Sequence, residues 1–139
     1  MPLSMNPTGE TDLKTLLKSL TPTHQPGDFV FCSLEELPAV DPASVIMTFR
    51  EKEGVTLVLQ KAEADRLKLD YSFVAAWITL EVHSSLAAVG LTAAFSTALA
   101  DEGISCNVVA ASYHDHLFVP KADLPRAMAV LKKLSALES

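Results

Sequence analysis

Positive charge is in short supply in this chain: eleven lysines and arginines stand against seventeen acidic residues, a formal net charge of −6 at pH 7. A protein that grips nucleic acid needs a basic stripe, and none runs along this sequence, so no nucleic-acid partner is expected. Long apolar runs are missing too. None approaches the roughly 18 residues that a membrane-spanning helix needs, and residues 1–10 do not join a cationic start to an apolar block. The expectation is a soluble, cytoplasmic protein without a membrane partner. Cysteine is confined to Cys32 and Cys106, each inside an apolar run and without the spacing of a metal-binding pair. Both read as small buried hydrophobes in a reducing compartment, a disulfide between them being the alternative. No phosphate-type glycine loop with a lysine is present, and no nucleophile is marked by a partnered base. The chain is therefore expected to be no enzyme and to need no cofactor.

What is present is a well-patterned chain of 139 residues, 49% hydrophobic, enough for one core or for two small lobes that share one. Residues 1–10 read as a flexible tail. Leu13, Leu16, Leu17 and Leu20 recur at helical spacing, and Pro22 with Pro26-Gly27 ends that helix before a buried strand over Asp28–Ser33. Leu34–Ser44, with Pro38 and Pro42, is a connection with at most one helical turn. Strands at Val45–Arg50 and Val55–Gln60 form a hairpin around Gly54, and Lys61–Leu69 is rich in helix formers. Asp70-Tyr71-Ser72 is the best boundary, giving a first lobe over residues 11–70 and a second over 71–139.

The second lobe opens on the apolar run Phe73–Val82, with Val74, Ala76, Ile78, Leu80 and Val82 on the core face and Ala75, Trp77, Thr79 and Glu81 opposite. After a small-residue loop, Leu91, Ala94, Phe95, Ala98 and Leu99 trace one helical stripe that Gly103 terminates. Ile104–Ala111 is strand-like, Tyr113-His114-Asp115 a turn, His116–Val119 a returning strand, and a last helix starts near Asp123. The element order is α-β-β-β-α, then β-α-β-β-α. Each half looks like a ferredoxin-type βαββαβ unit with one piece missing or displaced, so the expected class is α+β, with antiparallel sheets covered by helices and two lobes packed together.

The stretch Leu86-Ala87-Ala88-Val89-Gly90-Leu91-Thr92 through Leu99-Ala100-Asp101-Glu102-Gly103-Ile104-Ser105, with Tyr113-His114-Asp115-His116-Leu117-Phe118-Val119-Pro120, resembles an ACT domain. More closely, it is similar to the small bacterial proteins made of two ACT-like lobes and no catalytic domain. The resemblance is close over residues 73–120 and holds in element order over residues 11–70. It implies a regulatory module that binds an amino acid or similar metabolite at a lobe or subunit interface. It also implies ligand contacts from Val89, Gly90, Leu91 and Thr92 at the loop and helix start, and from Asn107 and Val108 on the second strand. In one respect the chain departs from the family: Ala87-Ala88-Val89 precede Gly90 where many ACT domains carry Asp and Pro.

Physical chemistry points to the same place. Gly90 permits close backbone approach, and free amides near Leu91 and Thr92 suit a carboxylate; the plainer role for Gly90 is helix entry. Asn107 offers a donor and an acceptor to a ligand or to nearby backbone. His83, His114 and His116, with Asp115, invite comparison with a metal site, but the plainer reading is a polar turn at His114-Asp115 with His116 and His83 partly buried near the sheet end, and no metal is expected. Cys106 and His116 could meet across adjacent strands, but Cys106 shares the face of Ile104 and Val108 and reads as core. Trp77 is either buried under a helix of the other lobe or part of an oligomer contact, a homodimer being expected. The rival to a ligand sensor is a structural or protein-interaction module that kept the fold without the ligand.

Overall fold

The computed structural model describes residues 12–82 and 88–137. Helix α1 (Leu13–Ser19) is followed by β1 (Pro22–Leu34), β2 (Val45–Glu51), β3 (Gly54–Gln60), α2 (Lys61–Arg66), β4 (Val74–Leu80), α3 (Leu91–Asp101), β5 (Asn107–Ala110), β6 (Asp115–Pro120) and α4 (Leu124–Leu137). The element order is the one read from the sequence. The tail expected over residues 1–10 lies outside the described residues.

All six strands join one antiparallel sheet in the order β2-β3-β1-β4-β6-β5. The two halves thus do not carry separate sheets; they are fused through β1 and β4. The first part of β1, Pro22–Gln25, pairs with Leu80–Trp77, whereas Phe29–Leu34 pairs with β3 on its other edge. Strand β1 is accordingly longer than the Asp28–Ser33 expected. Two prolines do not stop it, because Pro22 is its first residue and Pro26 falls in the register break between Gln25 and Phe29, where no ladder donor is required. Helix α2 starts at Lys61 as expected and ends at Arg66, short of Leu69, and strand β5 is confined to Asn107–Ala110 within the strand-like Ile104–Ala111.

The hairpin turn fixes one glycine. Gly54 has φ +146°, and a Cβ there would lie 2.1 Å from the Leu34 carbonyl oxygen, so no side chain fits.

The four α-helices among the described residues cover one face. Leu16, Leu17 and Leu20 of α1, Leu91, Phe95 and Leu99 of α3, and Ala127 and Leu131 of α4 pack on Ala76, Ile78, Leu80, Leu117 and Val119. On the same side, Ala64 of α2 packs on Val30, Cys32, Leu57 and Leu59. Each large apolar side chain so buried contributes about 1.5–3 kcal/mol. The opposite face, expected to be outside the core, is also buried in its centre: Phe29, Val58, Ala75 and Phe118 are at most 1% exposed, although no helix residue joins their cluster.

Curvature explains this. Six flat strands would hold β2 and β5 about 24 Å apart, yet residues of both edge strands border one groove over β4 and β6. The sheet curls around its open face, helped by register shifts in β1 and β2.

Candidate functional site

The start of α3 is built for backbone recognition. Gly90 is the helix N-cap at φ +99°, a left-handed conformation in which no side chain caps the first turn. Its carbonyl accepts from the Ala94 amide at 2.9 Å, which begins the helix. The first-turn amides that follow are the positive end of an eleven-residue helix. Val89 is 83% exposed and Thr92 is exposed, whereas Leu91 is buried in the helix-side core and reaches a surface ligand only through its backbone. A Cβ at Gly90 would sit 3.2 Å from Leu13 Cδ2, so α1 closes against this turn.

The second-strand residues stand elsewhere. Asn107 pairs in register with Phe118, itself opposite Trp77, and its Nδ2 donates to the Phe118 carbonyl at 3.2 Å. That register puts Asn107 on the open face and three residues along the sheet from the Leu80 end where α3 begins. Val108, one residue on, turns to the helix-side core. Within one chain the six residues expected to bind a ligand therefore divide between the two faces of the sheet.

The open face carries a different arrangement. Its groove, about 310 Å³ in volume, has Trp77, His116 and Phe118 as floor, Met47 on the β2 wall and Val109 on the β5 wall. Trp77 packs edge-on to Phe29 at 5.3 Å between ring centroids and stacks on Phe118 at 6.1 Å. It is thus held by aromatic neighbours on this face, not buried beneath a helix.

A line of polar side chains runs behind these rings. Gln25 Nε2 donates to Thr79 Oγ1 at 3.0 Å, Thr79 Oγ1 meets His116 Nδ1 at 3.1 Å, and Trp77 Nε1 donates to the same Nδ1 at 3.1 Å. An indole N–H can only donate, so Nδ1 must carry the lone pair, and the proton of the neutral ring sits on Nε2. Burial, and secondarily the nearby His114, holds the His116 pKa below its ordinary 6.5. Neutral imidazole is the form this setting selects.

The other polar candidates sort by position. His114 and His116 have ring centroids 6.5 Å apart, and His114 Nδ1 is buried without a partner among the described residues. No group of three His, Cys, Asp or Glu side chains among the described residues is placed to hold a metal ion, and His83 lies outside them. Asp115 is buried, which raises its pKa, while His114 acts in the opposite direction. Cys32 and Cys106 are free thiols; burial pushes Cys106 up to about 11, so it is no nucleophile at neutral pH. Cys106 packs against the helix-side core, across the sheet from His116. Glu63 takes a two-pronged ion pair from Arg66 at 2.7 and 2.8 Å and the Asp41 amide at 2.9 Å, tying the connection before β2 to α2.

Sequence reasoning did not assemble the groove. The available signal was parity: Trp77 and Thr79 on one strand, and His116 and Phe118 on another, each fall opposite the core stripe. Only the β4–β6 register, with Trp77 facing Phe118 and Thr79 facing His116, makes them one surface.

Two family models, each described as an ACT domain, match this chain over residues 8–76 and 72–133. Among solved structures, a Vibrio cholerae protein of unknown function, described as a possible transport protein, is 45% identical, with a TM-score of 0.79 over 88% of this chain and 95% of that one. An Agrobacterium tumefaciens protein matches at 19% identity and a TM-score of 0.65, over 84% of this chain and 89% of that one. The regulatory subunit of aspartate kinase from Thermus thermophilus, in a ligand-free form, matches at 10% identity and a TM-score of 0.58, over 84% and 98% of the two chains. At such identities the last two show the shared fold alone. No curated protein matches the sequence. Among the described residues, no helix is long and apolar enough to cross a membrane.

Proposed function

Because the chain belongs to the ACT-domain family, its two ACT models together spanning residues 8–133, we propose that it is a non-catalytic regulatory module. It binds an amino acid or similar small metabolite and passes the bound state to a partner, working in the cytoplasm as a homodimer. The observation that carries this reading is the left-handed Gly90, which opens α3 with uncapped first-turn amides. A ligand carboxylate fits these amides, contacted by the backbone of Val89–Thr92. Asn107 and Val108 lie on edge strand β5, so they reach such a ligand from a second copy rather than from the same chain. The likeness in fold to a regulatory subunit of aspartate kinase supports a role in sensing.

A thermal-shift screen of the twenty amino acids tests the proposal. At least one should raise the melting temperature, since a ligand present at 100 times its Kd stabilises the native state by about 2.7 kcal/mol. Thr92→Asp is the matching variant: an acid in the first turn suits the helix but repels a carboxylate. It should keep the unliganded melting temperature and lose the shift. No response to any amino acid in the wild-type protein would overturn the amino-acid reading and favour an interaction module.

A second reading rests on Phe49, 60% exposed on edge strand β2 beside an apolar sheet face. It makes the protein an interaction module, and light scattering across a range of concentrations, with and without the amino acids, separates the two.

A further inference from the structure

The open face of the sheet resembles neither a solvated surface nor a helix-packing surface. Its centre is sealed without a helix residue in the cluster, and the His116 imidazole is fixed by the buried Thr79 and the partly buried Trp77 instead of being left to turn. Thr79, only 3% exposed, exchanges hydrogen bonds with Gln25 and His116, so the ring orientation is set from beneath. With Nδ1 engaged by the Trp77 indole, the remaining hydrogen-bonding group of His116 is Nε2–H. That atom makes no hydrogen bond among the described residues, and His116 borders the groove. The surrounding groove is apolar, with Met47 and Val109 as walls and Trp77 and Phe118 as floor, and none of its lining side chains is an acid, a lysine or an arginine.

We propose that this groove is a second ligand site, distinct from the α3 turn, for a small uncharged ring compound that presents one carbonyl-type acceptor to His116 Nε2. Three features define the class. The volume of about 310 Å³ equals that of about ten liquid waters, which suits a single substituted ring. The aromatic floor favours a flat or compact apolar body. An N–H donor in a groove lined by no acid, lysine or arginine selects a neutral acceptor, and burying a zwitterion here would leave both of its charges unpaired. Free amino acids, the ligands of the proposed α3 site, are therefore excluded from this one.

Trp77 is the sole tryptophan of the chain, so it reports on the groove without a label. Cyclohexanecarboxamide and benzamide are titrated into the full-length protein while the single indole N–H resonance and, for the former, tryptophan emission are followed. A saturable shift is expected with these amides and none with free phenylalanine. Val109→Phe, on an edge strand, fills the groove and should abolish the shift. His116→Phe, which keeps a ring of similar shape, should weaken binding about tenfold through loss of one hydrogen bond. Circular dichroism establishes that each variant is folded, and if His116→Phe is not, Val109→Phe alone decides. Three results would overturn the proposal: no shift with either amide up to the solubility limit, a shift that persists in Val109→Phe, or an indole signal that follows protein concentration and not ligand, which would make a second copy the occupant. The amino-acid screen reads a different site, so either proposal can fail while the other stands.

Discussion

The two faces of the sheet bury comparable side chains by different means. On one, Phe95 and Leu99 of α3 and Leu131 of α4 seal the sheet by dense apolar packing. On the other, curvature brings the edge strands toward each other, and the sheet's own aromatic rings, backed by the Gln25–Thr79–His116–Trp77 chain, close its centre. The first arrangement fills space and leaves little to recognise. The second leaves a concave strip with one oriented donor, which is what a small-molecule site requires. On the helix side the ligand turn proposed above is the entry to α3 and not the packed sheet.

The sharpest way to break that contrast is a matched pair of truncations. Phe95 and Phe118 are 0% and 1% exposed. Phe95→Ala opens a sealed cavity and should cost about 3–5 kcal/mol in chemical denaturation. Phe118→Ala opens into the groove, which neighbours and water can partly fill, and should cost less, about 2–3 kcal/mol. Equal costs would mean that the open face is packed as core and offers no site.

Thr79→Val keeps the shape of the side chain and removes its hydroxyl. Gln25 Nε2 then lacks its acceptor, and the loss should be about 1–2 kcal/mol. In NMR titration the His116 ring should also lose part of its orientation, shown by a changed tautomer ratio. An unchanged ratio would mean that Trp77 alone fixes the ring.

Acid separates the faces a third time. Glu63, on the helix side, is held by Arg66 and then by the Asp41 amide at a pKa of about 2 against an ordinary 4.5. A depressed carboxylate adds stability above pH 4.5 and loses it as the pH falls toward 2. His116, on the open side, is depressed from 6.5, so its contribution is present above that value and fades as the pH drops below it. The melting temperature should consequently decline in two stages, and Glu63→Gln should flatten only the lower one. A variant that still shows the full acid-range decline would remove Glu63 as its cause.

Much of this was legible in the sequence because it is local. The i, i+3, i+4 stripe of Leu91, Phe95 and Leu99 names the buried face of α3 whatever lies beneath it. Gly54 between two alternating strands names a hairpin, and Gly90 before that stripe names the helix entry at which the proposed ligand turn is built. The parts that escaped depend on partners far along the chain. Nothing near Pro22 shows that it begins a strand paired to Leu80, and Asp28–Ser33 alone has the look of a complete strand. The face that Asn107 occupies is likewise set by strand register, which pairs it with Phe118.

By itself, then, the sequence determined the order and type of the elements and the position of the helix-entry turn, since these follow from hydrophobic periodicity and from the backbone freedom of glycine. Tertiary structure alone decided that the two halves share one sheet, that the sheet curls and that Trp77 fixes His116, since these depend on pairings between residues that are distant in the chain.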